Sequence, residues 1–159
     1  MSDKAFVLIV EDEDAHGQAI AEALSRGKYL CNVVNDGATA VESIRQRPPD
    51  VVITDYKLGG DVDGMAVLRE AKRTNPETEV IVITAYGSES LAREALSQDS
   101  DVRAYDYLVK PIDIDMLRDK VERAAKRASS GREARVLQRH LDKAFDFCGI
   151  IGTSDAVHR

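Results

Sequence analysis

Four short apolar runs in this chain of 159 residues end in side chains that carry charge or a hydroxyl. Val10 leads into Glu11-Asp12-Glu13-Asp14, Thr54 into Asp55, Ile83 into Thr84-Ala85, and Val109 into Lys110-Pro111. If the runs are parallel strands of one sheet, their ends share one edge, and Glu11, Asp12, Asp55, Thr84 and Lys110 meet there. Three carboxylates so close raise one another's pKa, and a hard divalent cation relieves the repulsion. Mg²⁺ suits such a place: it takes one or two carboxylates, keeps waters and recruits phosphate oxygens. A carboxylate beside Mg²⁺ can attack a phosphoryl group and become an aspartyl phosphate. The incoming phosphoryl oxygens then need counter-charge and a hydroxyl donor, which Lys110 and Thr84 supply. The set is coherent for phosphoryl transfer onto one Asp.

The elements that must position these groups follow from the pattern. Runs at 5–10, 29–34, 50–54, 80–84 and 105–109 have strand length and apolar character. Helical spacing is present at 14–26, 38–46, 64–74 and 88–97, and a last helix begins near Ile112 and extends toward residue 144. Five strands alternating with five helices predict βαβ units and a parallel sheet. Most strands lack strict alternation, as expected for a sheet covered on both faces. Right-handed crossovers place helices on both sides, and a ligand is expected beyond the carboxyl ends of the strands.

Composition excludes several classes. Apolar residues make up 43%, charged residues 31%, and the net charge is −6. That is a globular composition, and the acidic excess argues against unspecific grip on a phosphate backbone. No apolar run approaches the roughly 20 residues that span a bilayer, and the start of the chain has no signal-peptide layout. Cys31 and Cys148 lie far apart, with no metal-ligand spacing. A cytoplasmic protein with reduced thiols and no membrane partner is expected. Up to about residue 115 acids dominate; from Arg118 to Arg139 the chain turns basic, which marks the passage from a compact domain to a helical tail.

With these residues in place, 5–127 resembles a receiver domain of the two-component response-regulator family. The resemblance rests on Glu11-Asp12, Asp55, Thr84-Ala85 and Tyr107-Leu-Val-Lys110-Pro111 in order at strand ends. It implies a flavodoxin-like doubly wound sheet of order 2-1-3-4-5. It implies Asp55 as phosphoacceptor, fed by a sensor histidine kinase. It implies Mg²⁺ on Glu11, Asp12, Asp55 and the backbone carbonyl of Lys57. Thr84 would bind the phosphoryl group and shift, Tyr107 would turn inward with it, and Lys110 would pair with the phosphoryl group. Lys110-Pro111 would be a cis peptide. A homodimer is implied through the face made by the 88–97 helix, the 105–109 strand and the last helix, or through the linker helix.

Pro111-Ile-Asp-Ile-Asp-Met-Leu, the basic helix and Phe145-Asp-Phe-Cys-Gly-Ile-Ile-Gly152-Thr-Ser154 are similar to the nitrogen-regulation type of regulator. There the second segment opens an ATPase domain that drives sigma-54 transcription. The expected division is a receiver at 1–127, a helical linker at 128–144 and the start of an ATPase domain at 145–159. No G-x-x-x-x-G-K-[ST] loop is present and no helix-turn-helix has room. The chain therefore reads as a fragment, with DNA and sigma-54 polymerase reached only through further domains.

Two loops depart from the family pattern. After Asp55 the sequence reads Tyr-Lys-Leu-Gly-Gly-Asp-Val-Asp-Gly64, with Gly59 where a proline is usual and one residue more than usual. This predicts a more flexible backbone beside the acceptor. The span from Thr84 to Lys110 is about four residues longer than usual, with the excess expected in 98–103 as a tolerated surface loop.

Other residues read plainly. Asp14 is expected to cap the first helix, Glu13 to be solvated, and His16, His140 and His158 to lie on the surface. Cys31 reads as a small buried hydrophobe and Tyr105 as packing. Leu117, Val121, Ala124 and Ala128 form a seam at coiled-coil spacing, repeated in another phase by Leu137, Leu141 and Ala144. The seam suits either packing on the chain's own sheet or a dimerising signalling helix. Two other functions compete with the phosphorylation switch. A haloacid-dehalogenase-like phosphatase would need an acid at the position of Lys57. A degenerate receiver that only dimerises would not need the full acidic set.

Overall fold

The computed structural model describes residues 4–26, 29–85 and 103–149, and of 132 and 134–149 the backbone alone. The expected helix at 88–97 and the longer loop at 98–103, apart from Arg103, lie outside the described residues. Five strands form one parallel sheet: β1 (Ala5–Val10), β2 (Tyr29–Val34), β3 (Val51–Asp55), β4 (Glu79–Thr84) and β5 (Asp106–Val109). Their order is β2-β1-β3-β4-β5, as anticipated. The described helices are α1 (Asp14–Ser25), α2 (Gly37–Gln46), α3 (Gly64–Thr74) and α4 (Ile114–Gly149). Met1–Ala128 is one compact unit and Ser129–Arg159 a second.

Strand pleating sorts the core into two layers. Leu8, Val10, Val52, Val80 and Val82 pack under α2 and α3 with Ala40, Ile44, Val67, Leu68 and Ala71. Val7, Ile9, Val51, Ile53, Ile81 and Ile83 face the other side, where Ile20, Leu24, Leu117, Val121 and Ala124 cover them. Both faces of β1, β3 and β4 are thus dry, which is why these strands read as unbroken apolar runs. The edge strand β2 alternates half-buried and exposed residues, and Leu30 remains 45% exposed.

Leu117, Val121, Ala124 and Ala128 are all buried in the compact unit. Leu117, Val121 and Ala124 pack on the chain's own sheet, the first of the two readings of that seam. Arg118 Nε also donates to the Ala23 carbonyl at 3.0 Å, tying α4 to α1. The helix begins two residues later than expected because Asp113 caps it, its carboxylate accepting from Met116 N at 3.1 Å. It continues through Ser129-Ser130-Gly131 to Gly149. Asp36 and Asp63 cap α2 and α3 in the same way, accepting from Thr39 N at 2.7 Å and Ala66 N at 2.9 Å. Asp14 does not cap α1. The helix starts at Asp14 itself, and Glu13 holds the cap position without a side-chain bond. The Asp14 carboxylate instead accepts from Asn35 Nδ2 at 3.3 Å.

Candidate functional site

Strand register places the site residues side by side. Val10 pairs with Thr54, Asp55 with Ile83 and Thr84 with Val109. Glu11 therefore falls beside Asp55, while Thr84 and Lys110 stand one step along the same edge. Backbone bonds extend the alignment past the strands: Glu11 N donates to Val34 O at 3.0 Å, Tyr56 N to Ile83 O at 2.8 Å and Lys110 N to Thr84 O at 2.9 Å. The Lys110-Pro111 peptide is cis, as the resemblance implied.

These ends enclose a cleft of about 280 Å³ lined by Glu11, Asp12, Asp55, Tyr56, Lys57, Thr84 and Lys110, among others. Glu11, Asp55 and Thr84 are buried, at 1%, 6% and 2% exposure, whereas Asp12 stands in solvent. Carboxylate oxygens of Glu11, Asp12 and Asp55 all lie within 4.8 Å of one another. Lys110 Nζ sits 3.2 Å from Asp55 and 3.4 Å from Glu11. Burial, followed by the hydrogen bond and repulsion from Glu11, pushes the Asp55 carboxyl up to about 7, against the pull of Lys110. Burial works against the Lys110 charge, but Asp55 and Glu11 outweigh it and raise its pKa.

The donor set fits a hard divalent ion. It offers oxygen ligands, it opens to solvent at Asp12, and a cation would offset the burial and the Glu11 repulsion that raise the Asp55 carboxyl. Glu11, Asp12, Asp55 and the Lys57 carbonyl are the residues that would hold it. Glu11, Glu13 and His16 form a second grouping that shares Glu11. Its His16 Nδ1 and Glu13 are exposed and already paired at 2.7 Å, a local contact within the first turn of α1.

Tyr107 is half-buried against the layer that holds Val82, and Tyr105 packs into the opposite layer. Cys31 is half-buried, and burial pushes its thiol up, away from reactive thiolate character. Sequence reasoning missed the residues that seat the loop after Asp55. A Cβ on Gly37 would strike the Val62 carbonyl oxygen and stand 2.7 Å from Val62 Cβ and Cγ1. A Cβ on Gly64 would strike the Asp55 carbonyl oxygen and stand 2.9 Å from Tyr56 Cα. The available signal was a glycine directly after a capping Asp in both Asp36-Gly37 and Asp63-Gly64, where helix propensity alone disfavours it.

A buried Asp thus sits in an acidic cleft at the carboxyl edge of a 2-1-3-4-5 sheet, bonded to Lys110. Residues 7–122 match the response regulator receiver domain, and the chain belongs to that family, a class of signalling domain rather than metabolic enzyme. It is 39% identical over 123 residues to the transcriptional regulatory protein ZraR of Escherichia coli O157:H7, covering 77% of this chain and 26% of that protein. It is 32% identical over 151 residues to the regulatory protein AtoC of Escherichia coli K12, covering 95% of this chain and 32% of AtoC. The crystal structure of the receiver domain of NtrX from Brucella abortus superposes with a TM-score of 0.69 at 32% identity, over 76% of this chain and 98% of that one. The chain thus spans about a quarter to a third of the curated relatives it matches. NtrC of Escherichia coli K12 is among them, at 31% identity over 135 residues, in keeping with the nitrogen-regulation resemblance of the tail. Among the described residues no helix is long and apolar enough to cross a membrane.

Proposed function

We propose that the chain is the phosphorylation switch of a transcription regulator. Asp55 takes a phosphoryl group from the phosphohistidine of a sensor histidine kinase. A carboxylate oxygen of Asp55 forms the new O–P bond, the P–N bond of phosphohistidine breaks, and the imidazole leaves with its electron pair. Mg²⁺, held by Glu11, Asp12, Asp55 and the Lys57 carbonyl, supplies charge neutralisation for the phosphoryl oxygens when bound. Lys110, 3.2 Å from Asp55, moves its ammonium contact from the free carboxylate to the phosphoryl group. Thr84, directly on the edge beside it, donates its hydroxyl to another phosphoryl oxygen, and Tyr107 follows Thr84. The resulting population shift in β4 and β5 sets dimerisation and the output of a downstream sigma-54-type ATPase domain that begins near residue 145. The linker at 128–144 carries the signal, in the cytoplasm, and the domain's own chemistry also removes the phosphoryl group.

The observation that carries this reading is the convergence of Glu11, Asp12 and Asp55 within 4.8 Å, with Lys110 bonded to two of the three. The test is labelling by acetyl phosphate or a cognate kinase, with sedimentation of the chain in Mg²⁺ and beryllofluoride. Label on the parent and none on Asp55→Asn supports it, as does a beryllofluoride-dependent change in mass. Label retained by Asp55→Asn, or turnover of a generic phosphate ester, overturns it.

A further inference from the structure

The loop from Tyr56 to Asp63 has two closely packed anchors and an open span between them. Leu58 is buried at 9% exposure in the α2–α3 core layer, and Val62 packs against the same layer. A Cβ on Gly59 or Gly60, between these anchors, would meet nothing within 4 Å, and Gly60 sits at φ 88°. Lys57 is therefore bracketed. On one side Tyr56 is fixed, its N–H bonded to Ile83 O and its carbonyl accepting from Gly64 N at 3.0 Å. On the other side Leu58 is sunk in the core. The second anchor closes on bare backbone, since Val62 lies directly over Gly37, the first residue of α2.

We infer that Gly37 and Val62 are positioning residues for the phosphoacceptor loop: their contact holds the Lys57 peptide in its place at the cleft. The inference rests on the functional reading above, in which the Lys57 carbonyl is a Mg²⁺ ligand. The physical argument is one of leverage. A loop with two adjacent glycines has many accessible conformations, and its ligand atom is fixed only as well as its two ends. Leu58 sets one end. At the other, no side chain fits between Val62 and the start of α2, so a methyl group there must displace the Val62 backbone.

The test is Mg²⁺ titration of the metal-free chain, followed by tyrosine fluorescence, for the parent and for Gly37→Ala, Val62→Ala, Gly59→Ala and Ile44→Val. Amide exchange over residues 56–64 is measured without metal. Gly37→Ala and Val62→Ala are expected to bind Mg²⁺ about tenfold more weakly, as outer supports of metal ligands do, and to exchange faster at 56–64. Gly59→Ala, in open space, and Ile44→Val, which loosens the same core layer from within α2, are expected to match the parent. If Gly37→Ala does not fold, Val62→Ala decides. Parent-like affinity in the folded Gly37→Ala and Val62→Ala chains overturns the inference, as does an equal loss in Ile44→Val. A parent chain that binds no Mg²⁺ overturns the functional reading and this inference together; a parent that binds while the variants match it overturns this inference alone.

Discussion

The two edges of the sheet both bury carboxylates, and they treat them in opposite ways. At the amino edge Glu79, 8% exposed, lies 3.8 Å from Lys72 Nζ and 3.0 Å from Arg127 Nε. Lys72 also donates to the Pro76 and Thr78 carbonyls at 2.8 Å each, and Thr78 Oγ1 to the Pro49 carbonyl at 2.6 Å. Burial still pushes the Glu79 carboxyl up, with Lys72 and Arg127 pulling the other way. At the carboxyl edge three carboxylates converge, and Lys110 bonds two of them at 3.2–3.4 Å. One edge is closed, its charges answered by side chains of the fold. The other keeps an electrostatic conflict that an external cation and a phosphoryl group can resolve. Burying charge without full compensation costs stability, and a perturbed carboxyl in a cleft is a functional-site candidate.

The sharpest way to break the comparison is to swap chemistry at each edge. Asp55→Asn is expected to abolish phosphoryl labelling completely while the metal-free chain becomes more stable above neutral pH. The sign follows from the raised Asp55 pKa. Its contribution is fully present below the unfolded value of 3.8 and is lost as pH rises through about 7. Urea denaturation of the metal-free parent between pH 4 and 8 should show that decline, and the Asn variant should lack it. Lys72→Met should do the reverse. It strands two carbonyls and removes one of Glu79's cations, so a loss of about 2–4 kcal/mol is expected, with Mg²⁺ affinity unchanged at temperatures where the variant is folded. A Lys72→Met chain with parent-like urea stability would show that the amino edge is not the closed structural cluster described.

These residues also show what could be read from sequence. The carboxyl edge was legible because each strand is an apolar run that stops at a chemically distinctive residue, and a parallel sheet collects such stops on one side. The amino edge was not. Glu79 looked like a residue before the strand, because a charge at the head of an apolar run is ordinarily outside it; β4 begins there because Lys72 and Arg127, 7 and 48 positions away, meet its carboxylate. The seam at 117–128 was visible as a stripe, but periodicity does not say what covers a stripe. Asp14 was misread for a related reason: a cap depends on where the helix turns in, and that is set here by Glu13 and by the Asn35 bond to Asp14. The contact between Gly37 and Val62 joins residues 25 apart, with no local pattern to announce it.

Proton and metal should compete at the carboxyl edge and nowhere else. With Asp55 near 7 in the metal-free chain, Mg²⁺ must displace a proton below that pH. Apparent affinity is then expected to fall by about tenfold per pH unit below 7 and to level off above it. Mg²⁺ titrations by tyrosine fluorescence or calorimetry at half-unit steps from pH 5.5 to 8.5 check this. A flat profile would mean that the Glu11–Asp55 conflict is already relieved without metal, and the contrast between the edges would shrink accordingly.

The smallest effect is expected at Glu70, which gives the comparison a third case away from both edges. Glu70 on α3 accepts from Arg45 Nε at 2.9 Å, Arg73 Nη2 at 2.5 Å and Thr74 Oγ1 at 3.1 Å. The Arg45 and Arg73 hydrogen bonds lower its carboxyl from 4.5 to about 2. A depressed acid contributes stability that is fully present above its unfolded pKa and is lost as pH falls through the folded one, here from about 4.5 down to about 2. Both arginines are well exposed, so water and salt screen the pairs, and Glu70→Gln should cost only about 1 kcal/mol at pH 7. That difference should vanish below pH 2 and shrink in 1 M salt, while labelling of Asp55 stays at the parent level. Acid and salt series of urea denaturation distinguish this screened surface pairing from the Lys72–Glu79 pair, whose two side chains are both buried and which should respond less to salt.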